Sequence, residues 1–257
     1  MRYITSESVT KGHPDKIADQ ISDAILDECL KQDKYSRVAV ETAVTKQYVL
    51  IIGEITTNAK VDYESVARNV IKEIGYDNDY LGFDYNNCQI DVKIHEQSPD
   101  IAGATTEENL GAGDQGMMFG YASNETDNYM PAAIFFARKL ANRLTEVREK
   151  IGIPYLLPDG KTQVTCEYDG NELKRIDTIV ISTQHMRAIP QERIKKDIIK
   201  NVIKPVIPEN LLVDTKILIN PSGNFVLGGP AADSGLTGRK IIVDTYGGYC
   251  PHRWWSI

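Results

Sequence analysis

The stretch that decides the fold is VAVETAVT at residues 38–45, followed after two residues by YVLIIGEIT at residues 48–56. Both segments are rich in β-branched residues, and the short gap between them predicts a β-hairpin. Downstream, apolar spacing over residues 63–74 predicts a helix, and the alternation of apolar residues over 88–96 predicts a strand. The order of elements is therefore ββαβ.

The same order recurs in the second half of the chain. Residues 162–168 and 173–183 predict a second hairpin, residues 191–202 a second helix, and residues 216–220 a strand. Residues 130–150 add a long helix. These patterns predict an α+β fold of duplicated ββαβ units, with sheets covered on one face by helices.

Composition excludes several classes of protein. The net charge of −7 argues against a nucleic-acid partner. No apolar run approaches the roughly 18 residues of a membrane span, and the polar start has no signal-peptide core, so we expect a cytoplasmic protein without a membrane partner. The four cysteines lie far apart without Cys-x-x-Cys spacing, which predicts neither a zinc site nor a redox dithiol.

Two glycine-rich acidic loops suggest a ligand site. GAGDQG occupies residues 111–116, and GGPAADSGLTGRK occupies residues 228–240. Glycine lets the backbone approach a ligand closely, while Asp114 and Asp233 supply charge for a metal or a cationic group. Taken singly, a glycine-rich loop beside a strand is more often only an ordinary turn.

The segment GHPDK at residues 12–16 precedes an apolar periodicity typical of an amphipathic helix. His13, Asp15 and Lys16 would then crowd a helix start, where free N–H groups and the helix dipole favour anions such as phosphates. The alternative is ordinary capping, with Pro14 in the first turn and Asp15 complementing the dipole.

Taken together, these segments resemble the S-adenosylmethionine synthetase family, also called methionine adenosyltransferases. The resemblance extends over nearly the whole chain, in the family's order. Its motifs are TSESV (5–9), GHPDK (12–16), EQSPDI (96–101), GAGDQGMMFG (111–120), DGKTQVT (159–165), NPSG (220–223) and GGPAADSGLTGRK (228–240).

The resemblance implies three similar domains about a pseudo-threefold axis, with discontinuous boundaries. We expect residues 1–10 and 125–222 to form an N-terminal-type repeat and residues 11–100 a central repeat. Residues 101–124 and 223–257 would be the remnant of a C-terminal repeat, most of which is missing. Residues 97–113 would be a mobile loop over the active site. Family members are homodimers or dimers of dimers, with each site between two subunits.

The reaction implied by the resemblance joins ATP and L-methionine, with Mg²⁺ and K⁺ as cofactors. The thioether sulfur attacks C5′ of the ribose and expels triphosphate, which is cleaved to phosphate and diphosphate. A neutral sulfur is already nucleophilic, so no general base is needed. Catalysis must come from orientation and from stabilising the charge that grows on the triphosphate.

Individual roles follow from the same resemblance. His13 would contact the bridging oxygen at C5′, and Asp15 would ligate Mg²⁺. Catalytic phosphate contacts would come from Lys161, Arg239 and Lys240. The other expected ligands are Asp114, Asp159, Phe225 and Asp233 for ATP, Glu54, Gln97 and Asp233 for methionine, and Glu41 for K⁺.

For four of these residues a purely structural role is the alternative. Glu41 and Glu54 lie in apolar strands, where an exposed alternate position is the ordinary interpretation. Lys161 would then be a turn lysine, and Phe225 a core residue.

The tail departs from the family. The chain reads RWWSI at residues 253–257, where family members continue with GGGAFSGKD. A gene reading CGG TGG TGG AGC ATT becomes GGT GGT GGA GCA TT one base later, which encodes Gly-Gly-Gly-Ala and then Phe or Leu. We therefore expect a frameshifted or truncated copy, and the alternative is a truly divergent tail. Functionally, an active synthetase competes with a non-catalytic fragment that keeps its fold or subunit pairing.

Overall fold

The computed structural model describes residues 1–96 and 116–249, which contain two four-stranded mixed sheets. The first sheet has the order β1 (Arg2–Val9), β5 (Leu156–Asp169), β6 (Glu172–His185) and β7 (Lys216–Ile219). The second has the order β4 (Gln89–His95), β3 (Tyr48–Thr56), β2 (Arg37–Thr45) and β8 (Gly235–Leu236). In each sheet a hairpin is followed by a helix and then by a strand parallel to the second hairpin strand. The predicted α+β class with duplicated ββαβ units is confirmed.

Helices cover one face of each sheet. Helices α1 (Pro14–Gln32) and α2 (Tyr63–Ile74) pack on the second sheet, and α3 (Ala132–Glu146) and α4 (Gln191–Ile198) on the first. Two short helices, α5 (Lys204–Val206) and α6 (Ile241–Asp244), follow. Each sheet and its helices enclose a separate apolar core.

Side-chain alternation explains which face of the second sheet is buried. In β2, Val40, Thr42 and Val44 point into the core, whereas Ala39 and Glu41 point outward. The outward-facing side chains of β2, β3 and β4 form what we call the open sheet face, whose residues are Ala39, Glu41, Ile52, Glu54, Lys93 and His95.

Close backbone contacts dock the β8 loop between the two units. A Cβ atom at Gly235 would lie 2.1 Å from the carbonyl carbon of Pro14, so only glycine permits this approach to α1. At Gly229, φ is +60° and a Cβ atom would lie 2.1 Å from the hydroxyl oxygen of Tyr76. The loop is therefore fixed against the start of α1.

Several boundaries differ from those predicted. The helices expected over 130–150 and 191–202 each pass into a π-helical turn, Val147–Ile151 and Ile199–Ile203. Strands β5 and β6 are longer than expected, because a register shift lets β5 continue through a proline and a glycine. Strands β1 and β8, which the sequence did not predict, complete the sheets.

Three predictions concern residues outside the described ranges. They are the loop over residues 97–113, which includes the site residue Gln97, the site residue Asp114, and the tail at residues 253–257. Among the helices of residues 1–96 and 116–249, none combines the length and apolar character needed to cross a bilayer.

Candidate functional site

The start of α1 carries the first group of predicted site residues. His13 is the N-cap residue, Pro14 follows it in the first turn, and Nδ1 of His13 accepts a hydrogen bond from the Asp15 amide at 3.2 Å. The capping interpretation of this segment is thus confirmed. Capping uses only Nδ1 of His13. Because Nδ1 is the acceptor, Nε2 of the neutral imidazole carries the hydrogen and can donate a hydrogen bond.

The His13 side chain is held in its neutral form. Burial, together with the nearby charges of Lys240 and Lys161, lowers the pKa of His13 to about 3, against the opposing effects of Asp15 and Asp233. At neutral pH the ring is therefore a hydrogen-bond donor rather than a cation.

Asp15 is buried but ionised. One carboxylate oxygen accepts a hydrogen bond from the Leu236 amide at 3.0 Å, and the other pairs with Nζ of Lys240. Burial alone would raise the pKa of Asp15, but the bonds from Lys240 and Leu236 outweigh it and the pKa lies below its ordinary value. The exposed Arg239 lies farther away, with Nε 3.9 Å from Asp15 Oδ1.

Asp159 on β5 is influenced by Lys161 and Asp233, whose charges also act on His13. Oδ2 of Asp159 accepts a hydrogen bond from the Gly229 amide at 2.8 Å, whereas the buried Oδ1 has no partner. Burial raises the pKa of Asp159 to about 6, opposed by the Gly229 bond and the charge of Lys161, while the charge of Asp233 adds to the rise. We call His13, Asp15, Asp159, Lys161 and Lys240 the α1 cleft.

A second group lies on the open sheet face. Glu54 and His95 are register neighbours on β3 and β4, and Nε2 of His95 lies 3.0 Å from Oε1 of Glu54. Together with Glu41 and Lys93 they line a groove of about 680 Å³. Burial and the charge of Asp19 raise the pKa of Glu41.

Two further predicted residues sit on loops beside the cleft. Phe225 is half-buried after β7, and its amide donates to Nε2 of His185 at 3.1 Å. Asp233 is exposed just before β8. The structure thus places Lys161 and Lys240 near His13, with Arg239 exposed beside Asp15, whereas Glu54 lies on the open sheet face.

Comparison with known proteins identifies the family. Models of the N-terminal, central and C-terminal domains of S-adenosylmethionine synthetase match residues 1–99, 109–225 and 227–254. The chain is 56% identical over 264 residues to the S-adenosylmethionine synthase of Clostridium botulinum (strain Alaska E43 / Type E3), covering 98% of this chain and 68% of the relative. The synthase of Clostridium tetani (strain Massachusetts / E88) shows the same identity and coverage. The chain belongs to the S-adenosylmethionine synthetase family.

Two residues that support the site of this family member were not predicted from the sequence. Gln184 accepts a hydrogen bond from the Asp159 amide at 3.3 Å and donates to Val226 at 3.1 Å, which ties β5 to the loop after β7. Asp19 accepts from the Gly238 amide at 2.9 Å. For Asp19 a signal existed, since it lies one helical turn after Asp15 on α1.

The described residues offer single candidate metal ligands rather than a preformed metal cluster. Within residues 1–96 and 116–249, no cluster of three or more His, Cys, Asp or Glu side chains could hold a metal ion by itself. Asp15 nevertheless fits Mg²⁺, because this ion is commonly bound by one or two carboxylates together with substrate phosphates and water.

Proposed function

We propose that this chain makes S-adenosylmethionine from ATP and L-methionine and cleaves the released triphosphate to phosphate and diphosphate. The observation that carries the proposal is the α1 cleft, where the cations Lys240 and Lys161 lie close enough to the buried His13 to help keep it neutral, next to the glycine-containing β8 loop. Such preorganised donors and cations suit a leaving group that gains negative charge.

His13 would act on the oxygen that leaves C5′. Its Nδ1 accepts from the Asp15 amide, so Nε2–H would donate to that oxygen as the carbon–oxygen bond breaks. The low pKa of about 3 supports a hydrogen bond to the developing charge rather than full proton transfer.

Lys161, Arg239 and Lys240 would bind the triphosphate oxygens. Asp15, which pairs with Lys240, would hold Mg²⁺ together with phosphate oxygens and water. When bound, Mg²⁺ would screen phosphate charge. Asp114, Asp159, Phe225 and Asp233 would contact the remainder of ATP, with Phe225 stacked on the adenine.

Glu54 and Gln97 would bind the amino acid part of methionine, with Asp233 as a further contact, and Glu41 would ligate K⁺. We further propose that a second copy of the chain covers the open sheet face in a homodimer or dimer of dimers. The exposed apolar side chains Ile52 on β3 and Leu236 on β8, strands that flank β2 on its two sides, support this pairing. The proposal also includes the three-repeat domain division that the resemblance implies. It further includes a cytoplasmic location without nucleic-acid or membrane partners.

A product assay tests the function. The 257-residue chain is incubated with ATP, methionine, Mg²⁺ and K⁺, and S-adenosylmethionine is measured by mass spectrometry. We expect Lys161→Met to lower turnover by about a hundredfold, because it removes a cation from the cleft. Lys174→Met is the control, since Lys174 lies on the neighbouring strand β6 and pairs only with the exposed Glu172 among described residues.

Three results are distinguishable. Product that depends on Lys161 supports the synthetase. A folded chain that binds triphosphate without forming product supports the alternative of a non-catalytic fragment. A folded chain that does neither contradicts both. Sequencing the gene around codon 253 separately tests the predicted frameshift, which stays a prediction.

A further inference from the structure

Tyr76 is a fully buried tyrosine that follows the end of α2. Gly75 ends that helix in the left-handed conformation, and the Tyr76 amide donates to the carbonyl oxygen of Ile71 at 3.1 Å. The carbonyl oxygen of Tyr76 accepts from the Tyr85 amide at 3.0 Å. The Phe83 ring lies edge-on against the Tyr76 ring, with the centroids 5.5 Å apart. The backbone and the ring of Tyr76 are therefore both fixed within the core of the second sheet.

The Tyr76 hydroxyl contacts the backbone at the start of α1. It donates to the carbonyl oxygen of Gly12 at 2.6 Å, and Gly12 is the residue immediately before the N-cap His13. Burial and the charge of Asp159 raise the pKa of Tyr76 well above its ordinary value, against the charge of Arg148. The hydroxyl therefore keeps its proton and remains the donor in this bond.

The same hydroxyl packs against the turn that binds Asp159. A Cβ atom at Gly229 would lie 2.1 Å from the Tyr76 hydroxyl oxygen, and the Gly229 amide donates to Oδ2 of Asp159 at 2.8 Å. Gly12 in turn packs on β5, since a Cβ atom there would lie 2.3 Å from the carbonyl oxygen of Pro158. The hydroxyl thus lies where the start of α1, the Gly229 turn and β5 meet.

We propose that Tyr76 is a positioning residue whose hydroxyl holds His13 in the place relative to Asp159 that catalysis needs. This role rests on the proposed function, in which His13 donates to the oxygen that leaves C5′. That oxygen becomes charged only as its bond to carbon breaks, so a displaced His13 affects the transition state more than substrate binding. Misplacement by about 1 Å can lower a rate by about a hundredfold.

The experiment compares Tyr76→Phe with Tyr168→Phe in the 257-residue chain. Both tyrosines are fully buried, and each hydroxyl donates a hydrogen bond of 2.6 Å, from Tyr76 to Gly12 and from Tyr168 to Glu125. Tyr168 is the matched control because it lies near the far end of β5 from Asp159, roughly 25 to 30 Å away at the rise of an extended strand. Each substitution removes only an oxygen atom, so both should lower the urea concentration at which the chain unfolds.

Turnover should separate the two variants. We expect Tyr76→Phe to lower kcat by about tenfold or more, while the KM values for ATP and methionine change by less than about twofold. Tyr168→Phe should keep kcat within about twofold of the unsubstituted chain. A loss below about threefold in Tyr76→Phe overturns the proposal, and so does an equal loss in both variants. A Tyr76→Phe chain that is unfolded without urea, by circular dichroism, overturns it as well, because the hydroxyl would then serve stability rather than placement.

A second readout does not depend on turnover. Nitrogen NMR spectra of the chain labelled at its histidine rings are compared, and the His13 signals are identified by their loss in His13→Asn. These signals should shift in Tyr76→Phe and stay unchanged in Tyr168→Phe. If the unsubstituted chain forms no S-adenosylmethionine, the proposed function is wrong, and shifted His13 signals still support the placement of His13 by Tyr76. Signals that do not move in Tyr76→Phe overturn the inference whether or not the chain is active.

Discussion

The α1 cleft and the open sheet face both carry carboxylates and bases, but the fold treats them in opposite ways. In the cleft, the Asp15 and Lys240 side chains are only 4% and 17% exposed, and Asp15 is fully engaged by Lys240 and the Leu236 amide. On the open face, the Glu54 and His95 side chains are 43% and 70% exposed. One region is assembled by the chain itself, whereas the other presents its charges to whatever binds there.

Electrostatics explains why the two regions differ. A charge removed from water needs a partner within the fold, so the cleft groups are tied to stability. An exposed pair is hydrated and contributes little. The cleft therefore fits its proposed role with phosphate charge, and the open face fits the proposed binding of methionine by Glu54.

Removing the buried cation should have the largest effect. Lys240→Met leaves the buried Asp15 carboxylate without its cation and should lower the free energy of unfolding by about 4 kcal/mol in urea denaturation. Arg239→Met is the control, because Arg239 is 58% exposed and 3.9 Å from the same carboxylate. We expect that control to cost less than about 1 kcal/mol. Equal losses would erase the contrast between buried and exposed charges.

Acid should weaken the cleft through His13. Its folded pKa of about 3 lies below the unfolded value of 6.5, so this contribution is fully present above pH 6.5 and is lost as pH falls toward 3. Between pH 7.5 and pH 5 the unsubstituted chain should lose about 2 kcal/mol relative to His13→Asn, which keeps an acceptor for the Asp15 amide. Parallel pH profiles for the two proteins would contradict the buried neutral ring.

Asp159 should act with the opposite sign. Its folded pKa of about 6 exceeds the unfolded value of 3.8, so ionisation inside the cleft costs stability as pH rises. Between pH 5 and pH 7.5 the unsubstituted chain should lose about 1.5 kcal/mol relative to Asp159→Asn. Asp169→Asn, at the exposed end of the same strand, serves as the control for the substitution itself.

Local signals account for what the sequence predicted well. The predicted bounds of the β2–β3 hairpin and of α2 agree closely with the structure. Alternating apolar residues mark the two strands, and Asp62 and Gly75 cap the two ends of α2. Strand β8 could not be predicted, because two residues form it only by pairing with β2. The π-helical turns likewise lack a local signal.

The same limit applies to the site. The resemblance supplied candidate residues by type, but the Lys240–Asp15 pair joins positions 225 residues apart, and only folding creates it. The pairing of His95 with Glu54 depends on the register of two parallel strands, which the hydrophobic pattern does not fix residue by residue. The burial of His13 and Asp159, which is the main influence on their charge states, could not be predicted from the sequence either.

The smallest effect is expected on the open sheet face. Glu54→Gln should change the free energy of unfolding by less than about 0.5 kcal/mol at low protein concentration, because the Glu54 carboxylate is 43% exposed and paired with an exposed ring. If a second copy covers this face, the difference should grow with protein concentration, since association stabilises only the folded chain. Urea denaturation over a hundredfold range of protein concentration measures both regimes.

A loss above about 1 kcal/mol at the lowest concentration would mean that Glu54 is coupled to folding of the single chain. In that case the open face would be as much a part of the folded core as the cleft, and the contrast between the two regions would fail.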